Sequence, residues 1–185
     1  MATNAQAHPV TATEFLQIDF GPTLKADLDR GVIRMMAGGT VAHSVVQMNL
    51  YRYLGSALRG SGCRPYGSDM AVQATDWSVR YPDVTIDCGS PSERARDKVL
   101  SDPRVVIEVL SPSTREHDLS VKLGEYRAMC SIHTVAFVDP DEQTIAVTRR
   151  TERGGWTDLV FSLECGLEIP AMDLTVPRAE VFAVD

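Results

Sequence analysis

The sequence lacks long apolar segments and has no excess of basic residues. Its longest uncharged run, residues 35–51, contains glycines and polar side chains and is too polar to span a bilayer. The first ten residues carry neither a basic patch nor an apolar stretch, so no secretory signal is expected. With 18 Lys and Arg against 25 Asp and Glu, the formal net charge is −7. This balance disfavours non-specific coating of nucleic acid but leaves a local basic cleft open. We expect a soluble, cytoplasmic protein without membrane contact.

Closely spaced cysteine pairs are absent as well. Cys63, Cys88, Cys130 and Cys165 stand far apart, whereas structural zinc sites usually have short paired spacings. Zinc is therefore disfavoured, and scattered free thiols suit a reducing cytoplasm. The chain has no G-x-S-x-G elbow and no convincing Cys–His pairing, which disfavours a serine or cysteine hydrolase.

The composition is that of an ordinary globular domain. The chain has 185 residues, of which 44% are hydrophobic and 23% are charged, and a chain of this size folds without staples. No repeat or linker marks a second domain. We therefore predict a flexible leader at residues 1–10 and a single domain at residues 11–185.

The hydrophobic pattern predicts an α/β fold. A capping box at Thr11–Glu14 indicates a short helix. Apolar residues at steps of four, from Val46 to Leu58, indicate a long amphipathic helix at 41–58. Another helix is expected at about 117–129. Strands are predicted at 32–36, 70–72, 81–88, 104–110 and 134–138, with a turn at 76–80, a loop at 89–103, and two or three late strands around 144–148, 156–161 and 167–169.

Two carboxylates occupy otherwise apolar strands. Asp83 lies in the strand at 81–88, and Glu108 interrupts the most apolar strand of the chain. Burial of a carboxylate costs several kcal/mol unless it is paired, hydrogen-bonded or bound to a metal. If the strands are neighbours, two charges at ~4 Å repel by roughly 4 kcal/mol at an effective dielectric near 20. A divalent cation removes that repulsion, and oxygen ligands suit Mg²⁺, with Mn²⁺ as a substitute.

A charged helix face follows Glu108 in the sequence. Arg115, Asp118, Lys122 and Glu125 follow steps of three, four and three, so we expect them to share one face. Lys122 would then lie over the ends of the carboxylate strands. An ammonium group there would orient an attacking water or neutralise the charge that develops on a phosphate.

Three motifs strongly resemble those of one bacterial family. They are Arg80-Tyr-Pro-Asp-Val84, Val106-Ile-Glu-Val-Leu-Ser-Pro-Ser-Thr114 and Asp118-x-x-x-Lys122-x-x-x-Tyr126. The resemblance is to the restriction endonuclease family known as Uma-two (Uma2), within the PD-(D/E)XK nuclease superfamily. It covers roughly residues 11–183 and includes His43-x-x-x-Gln47-x-Asn49-Leu50.

The resemblance implies a restriction-endonuclease-like core of order α-β-β-β-α-β, with an extra N-terminal helix and strand and late antiparallel strands. It also implies that Asp83 and Glu108 are metal ligands and that Lys122 is the catalytic lysine. Leu110 occupies the position of the superfamily's signature lysine. The family resemblance implies that the lysine instead lies on the following helix, where this sequence has Lys122. Asp27 stands where the family usually has Glu, which puts its role in doubt.

The leading hypothesis is a Mg²⁺-dependent endonuclease that cuts DNA. Asp83, Glu108 and the Val109 backbone carbonyl would hold the cation, and Lys122 would orient the water. A chain this short has little room beyond a catalytic core, so cutting both strands would need two copies, which favours a homodimer. The alternative is a nuclease-fold protein that binds nucleic acid or a protein partner without cutting.

Four further residues are candidate accessory groups: Asp27, Asp69, His43 and Asp118. Asp69 is either a further metal or water ligand or a turn residue. For His43, the choice is between a contact to phosphate or metal-bound water and a satisfied half-buried histidine.

The proposed catalytic residues also have structural interpretations. Asp83 could cap a turn or pair with Arg80, and Glu108 could form a structural salt bridge. Lys122 could be an exposed helix residue paired with Asp118. Tyr126 lies on the apolar stripe and is interpreted as packing.

Overall fold

The structure is a computed structural model that describes residues 8–36, 38–91 and 94–184. Its helices are α1 (Ala12–Phe15), α2 (Val41–Ala57), α3 (Arg115–His117), α4 (Leu123–Ala128) and α5 (Arg178–Val181). A π-helical segment, Asp118–Lys122, joins α3 to α4, and a 3₁₀ turn covers Pro170–Met172. The strands are β1 (Ala26–Asp29), β2 (Val32–Met35), β3 (Arg64–Gly67), β4 (Val72–Thr75), β5 (Ser78–Arg80), β6 (Val84–Asp87), β7 (Pro103–Val109), β8 (Thr134–Asp139), β9 (Thr144–Arg149), β10 (Phe161–Ser162), β11 (Leu167–Ile169) and β12 (Leu174–Val176).

A six-stranded sheet forms the centre of the fold. Its order is β10-β9-β8-β7-β6-β3, and β7 and β8 are parallel while the other neighbours are antiparallel. Side chains of β7 alternate between two cores: Ile107 packs with the apolar stripe of α2, whereas Val106 packs with Leu123 and Tyr126 of α4. The sheet therefore lies between α2 and α4, and the order α2-β3-β6-β7-α4-β8 is the predicted α-β-β-β-α-β core.

A smaller antiparallel sheet flanks this core, with β1 and β2 before α2 in the chain and β4 and β5 between β3 and β6. Its order is β2-β1-β5-β4, and it packs with α1 around a third apolar cluster that includes Phe15 and Leu28. Thr11 caps α1 in the expected capping box with Glu14. The N-terminal helix and strand and the late antiparallel strands are confirmed, and β11 and β12 form a separate hairpin.

Some local predictions were wrong. The segment predicted as a turn at 76–80 contains β5, whose residues are all buried and which pairs with β1 through Leu28 and Val79. Strands β1 and β3 were not predicted. In β1, acidic residues alternate with apolar ones, and β3 contains Pro and Gly, so neither has the composition typical of a strand. Most of the strand expected at 156–161 is irregular, with only β10 at its end.

The expectation of scattered free thiols was wrong for two cysteines. Cys63 and Cys88 form a disulfide, with their Cα atoms 4.0 Å apart. They directly precede β3 and follow β6, and the pairing of Arg64 with Asp87 places them opposite each other. The two cysteines are 25 residues apart in the sequence, so their proximity could not be predicted from their spacing. Cys130 and Cys165 are free and exposed.

The described ranges contain no helix that is both long and apolar enough to cross a membrane. Residues 1–7 of the expected leader lie outside the described residues, as does residue 185. Within the rest of that segment, the Val10 amide donates a hydrogen bond to the Gly31 carbonyl at 2.9 Å. The division into a leader and a single domain stays a prediction.

Candidate active site

The strand register brings Asp83 and Glu108 together. Val84 of β6 pairs with Ile107 of β7, so Asp83, one residue earlier, lies opposite Glu108. The Val109 amide donates to Oδ2 of Asp83 at 2.8 Å and fixes that carboxylate against β7. Both acids line one cavity of about 800 Å³. Side chains directly opposite each other in an antiparallel pair point to the same side, which explains this convergence.

Glu108 is buried and held at one oxygen. Its Oε1 accepts a hydrogen bond from Tyr126 Oη at 2.7 Å and one from Lys122 Nζ at 3.1 Å. Burial, as the largest cause, raises the pKa of Glu108 to about 7. The positive charge of Lys122 opposes this rise, and the negative charges of Asp118 and Asp83 add to it. The protein thus keeps a carboxyl group in a place where its ionised form needs a positive partner.

Lys122 lies between two carboxylates. Its Nζ atom is 3.1 Å from Glu108 Oε1 and 2.8 Å from Asp118 Oδ1, and all three side chains are largely buried. Burial alone would lower the pKa of Lys122, but the two carboxylates raise it above its ordinary value. Lys122 is therefore a fixed cation. The structural interpretation of Lys122 was right about its pairing with Asp118 and wrong about its exposure.

The four charged residues predicted to share one helix face instead contact three different parts of the structure. Asp118 and Lys122 line the cavity, whereas Arg115 pairs with Asp139 and Glu125 pairs with Arg80. The π-helical segment between α3 and α4 changes the angular spacing on which the prediction of one face relied. Such single π turns are frequent at functional sites.

Helix α2 holds Asp83 through a stripe of residues spaced by four. Gln47 Nε2 and Tyr51 Oη donate to the Asp83 carbonyl at 3.0 and 2.7 Å, and His43 Nε2 lies 3.3 Å from Asp83 Oδ2. The hydrogen bond with Asp83 raises the pKa of His43, although burial opposes this. Burial raises the pKa of Tyr51 to about 12, so its hydroxyl stays a donor. Residues 43, 47 and 51 share one face of a helix and so meet one loop residue.

Two glycines permit this close approach. A Cβ on Gly39 would lie 2.9 Å from His43 Nδ1, and a Cβ on Gly67 would overlap the Tyr51 hydroxyl. Larger residues there would displace the side chains that hold Asp83.

Asp27 belongs to a neighbouring buried network. The fully buried Arg80 guanidinium donates to Asp27, Asp29 and Glu125 at 2.7–2.9 Å. Asp27 lines the cavity but is engaged by Arg80. The alternative pairing of Asp83 with Arg80 is wrong, because Arg80 is occupied by these three carboxylates.

Asp69 lies apart from the carboxylate pair. Its side chain is 99% exposed and 3.3 Å from Lys25 Nζ. It lines a smaller neighbouring cavity and is absent from the walls of the large one. His117 also lines the large cavity.

One oxygen of each central carboxylate is available to a cation. Within the described residues, no donor is hydrogen-bonded to Asp83 Oδ1 or to Glu108 Oε2. The same residues contain no group of three or more His, Cys, Asp or Glu arranged to hold a metal. A cation here would therefore bind through two carboxylates and would keep several waters, which is the preference of Mg²⁺.

Sequence reasoning missed three hydrogen-bonding residues of this site. Tyr126 was interpreted as packing alone, yet its hydroxyl holds Glu108. The roles of Gln47 and Tyr51 were not recognised, although their spacing from His43 was visible. The available signal was the spacing of His43, Gln47 and Tyr51, which places three polar side chains in a stripe beside the apolar stripe of α2.

Comparison with known proteins bears on this arrangement. A protein from Anabaena variabilis ATCC 29413, described as "a putative nuclease belonging to DUF820", superposes with a TM-score of 0.74 at 19% identity, over 95% of this chain and 98% of that one. Two uncharacterized proteins of Synechocystis sp. strain PCC 6803 are also similar. The first, slr1290, is 28% identical over 93% of this chain and 87% of its own length; the second, sll1609, is 29% identical over 70% and 75%.

The profile of the Uma2 family, described as "Putative restriction endonuclease", matches residues 12–177. That range contains α2, Glu108 of β7, the π-helical segment with Lys122, and Asp83, which directly precedes β6 rather than lying inside a strand as expected. The chain belongs to the Uma2 family and has the restriction-endonuclease-like fold.

Proposed function

We propose that this protein is a metal-dependent endonuclease that hydrolyses phosphodiester bonds of DNA. One observation carries the proposal: Asp83 and Glu108 oppose each other in one cavity with the Lys122 ammonium 3.1 Å from Glu108. A phosphodiester is an anion that becomes more negative in its transition state. A cation site beside a fixed ammonium is suited to stabilise that charge.

The donor set fits a hard divalent cation. Asp83 Oδ1 and Glu108 Oε2 are the oxygens that would hold it, and we propose the Val109 backbone carbonyl as a further ligand. Mg²⁺ is the expected ion, with Mn²⁺ as a substitute, because both favour oxygen ligands and bound water. When bound, such an ion would supply Lewis-acid chemistry toward a phosphate and would make water more nucleophilic.

Lys122 acts as a cation in this scheme. Two neighbouring carboxylates keep its amine protonated, so it is unsuited to abstract a proton from water. Its N–H groups would instead orient the attacking water and balance charge on the phosphate. Asp118 holds the ammonium through a second contact, with its Oδ1 atom 2.8 Å from Lys122 Nζ.

His43 is the proposed accessory donor toward the phosphate. Its side chain is 14% exposed, lines the cavity and contacts Asp83 through Nε2. Asp27 and Asp69 have other partners, Arg80 and Lys25, so we assign neither of them to the cation.

Cleavage of supercoiled plasmid DNA tests the proposal. The wild-type protein is expected to nick the plasmid with Mg²⁺ or Mn²⁺ and to be inactive in EDTA. Glu108→Gln removes a metal ligand while preserving shape, so we expect at least about 100-fold slower nicking. Glu116→Gln is the matched control, because Glu116 is exposed and outside the cavity.

Equal nicking by the wild type and Glu108→Gln would contradict the proposed site. Metal-independent binding of DNA or a protein without any cleavage would instead support the alternative, a binding module on a nuclease fold. The proposed homodimer is checked by sedimentation, since one active site cuts one strand. A monomer that linearises plasmid by paired cuts would contradict it.

A further inference from the structure

A second cavity adjoins the carboxylate pair. Its volume is about 330 Å³, and it shares Thr23, Lys25 and Tyr81 with the large cavity. Tyr81 precedes Asp83 by two residues, which span at most about 7 Å of backbone. A polymer whose phosphate lies at Asp83 therefore has its neighbouring unit within reach of Tyr81.

The walls of this second cavity combine rings, apolar groups and a few polar groups. Phe20, Leu24 and Tyr81 supply the apolar surface, and Leu24 is 56% exposed. Lys25 Nζ lies 6.0 Å from the centre of the Tyr81 ring and contacts Ser68 and Asp69. The side chains of Lys25 and Thr23 offer donors, and those of Thr23 and Asp69 offer acceptors. A flat aromatic ligand with donors and acceptors on its edge matches this combination.

Charge alone does not account for binding of a polyanion here. Three basic residues (Lys25, Arg34 and Lys122) and four acidic residues (Asp27, Asp83, Glu108 and Asp118) line the large cavity. Each of the three cations already has a carboxylate partner. Stacking of a base on an aromatic side chain contributes about 1–3 kcal/mol without needing net positive charge.

We propose that the cavity formed by Phe20, Thr23, Leu24, Lys25, Asp69 and Tyr81 binds an unpaired nucleobase next to the phosphate that is cut. This inference rests on the proposed function and narrows its substrate to strands that present an unpaired base: single strands, flaps or frayed ends. In a duplex the same base would first have to leave its stack, at a cost of a few kcal/mol.

Fluorescence anisotropy with the Glu108→Gln variant and Mg²⁺ tests the inference without cleavage. The probes are a labelled 12-nucleotide oligothymidylate, a fully abasic strand of equal length and charge, and the oligothymidylate paired with oligoadenylate. We expect the oligothymidylate to bind 5- to 150-fold more tightly than the abasic strand, which is 1–3 kcal/mol expressed as a ratio. Weaker binding of the duplex than of the single strand is also expected.

Two substitutions on the Glu108→Gln background locate the effect. Tyr81→Ala should reduce the preference for oligothymidylate over the abasic strand by at least about 5-fold. Leu24→Ala should also reduce it, and Leu24 is exposed enough for this change to leave folding intact. Trp77→Ala is the control, because Trp77 is an exposed aromatic residue that lines neither cavity.

Three results would overturn the inference: equal affinity for thymidylate and abasic strands, unchanged preference in Tyr81→Ala and Leu24→Ala, or no binding of any strand. Wild-type cleavage of single-stranded circular DNA with Mg²⁺ separates the two proposals. Cleavage together with equal affinities would overturn the base site alone, whereas a base-dependent affinity without cleavage of either single-stranded or plasmid DNA would overturn the nuclease proposal alone.

Discussion

At the scale of single residues, the site depends on which oxygen of each carboxylate is occupied. Asp83 uses Oδ2 to accept from the Val109 amide, and Glu108 uses Oε1 to accept from Tyr126 and Lys122. The remaining oxygen of each side chain is thereby left for a cation. A carboxylate without such partners would rotate, and its free oxygen would have no fixed position.

Removal of the Tyr126 hydroxyl tests this ordering of Glu108. Tyr126→Phe keeps the ring in the core but loses the 2.7 Å hydrogen bond. Loss of a residue that hydrogen-bonds a metal ligand typically costs about 10- to 100-fold in metal affinity or activity. We therefore expect Tyr126→Phe to need about 10- to 100-fold more Mg²⁺ for half-maximal nicking, or to nick that much more slowly. The free energy of unfolding should fall by only about 1–3 kcal/mol.

The matched control is Tyr53→Phe. Tyr53 Oη also donates a hydrogen bond, but its acceptor is the Thr175 backbone carbonyl at 3.3 Å, and Tyr53 lies outside the cavity. Unchanged Mg²⁺ dependence of nicking in Tyr126→Phe would show that the Tyr126 hydroxyl has only a structural role.

The sequence identified some of these residues because they broke a pattern. Asp83 and Glu108 stood out as acids in apolar strands, and Lys122 followed at helical spacing. Tyr126 did not stand out, because an aromatic residue on an apolar helix stripe is typical of a core. Its function depends on a hydrogen bond between α4 and β7, which no local pattern reveals. For Asp69 the sequence left two interpretations open, and the structure favours the turn residue, because Asp69 lies in a turn with a fully exposed side chain.

At the scale of elements, long periodic segments were predicted well, whereas the short strands β1 and β3 were missed and β5 was expected as a turn. Helix α2 and strands β7 and β8 lie within one residue or so of their predicted bounds. Strands β1 and β5 are stabilised by contacts between residues distant in the sequence, including those that Arg80 of β5 makes. That guanidinium joins β5 to β1 and α4, so the acids of β1 remain buried in a strand.

Acid should weaken this junction through Asp29. Burial alone would raise the pKa of Asp29, but the hydrogen bonds and charge of Arg80 lower it below its ordinary value. The stability from ionised Asp29 is therefore present above the unfolded pKa and is lost as pH falls through the folded pKa. Wild-type unfolding free energy should decline as pH falls below about 4.

Asp29→Asn removes that titrating group. We expect it to cost about 1.5–3 kcal/mol at pH 7 and to make the decline in acid shallower, as measured by urea unfolding from pH 7 to pH 2.5. Asp158→Asn, an exposed site, should leave the wild-type curve unchanged. An acid decline in Asp29→Asn as steep as in the wild type would contradict the assignment.

At the scale of the whole molecule, the site concentrates negative charge in a chain whose net charge is already −7. Asp83, Glu108 and Asp118 line one cavity, with Lys122 as the ammonium that contacts two of them. Anything positive that binds the folded state alone must then stabilise it by mass action. Cation binding should therefore be visible as a change in global stability, independent of any substrate.

Thermal unfolding with and without Mg²⁺ measures this coupling. At a Mg²⁺ concentration of 100 times Kd, the folded state gains about 2.7 kcal/mol, which for a chain of this size raises Tm by roughly 5–10 °C. Asp83→Asn should abolish that rise, since an amide is a poor ligand for the ion. In EDTA, Asp83→Asn should match or exceed the wild-type stability, because it removes like-charge repulsion with Glu108 while an amide oxygen still accepts from Val109. The exposed-site variant Asp158→Asn should keep the full Mg²⁺ response. A large loss of stability of Asp83→Asn in EDTA would instead show that Asp83 is held by its contacts with α2 and β7 for structural reasons, and that the paired acids need no cation.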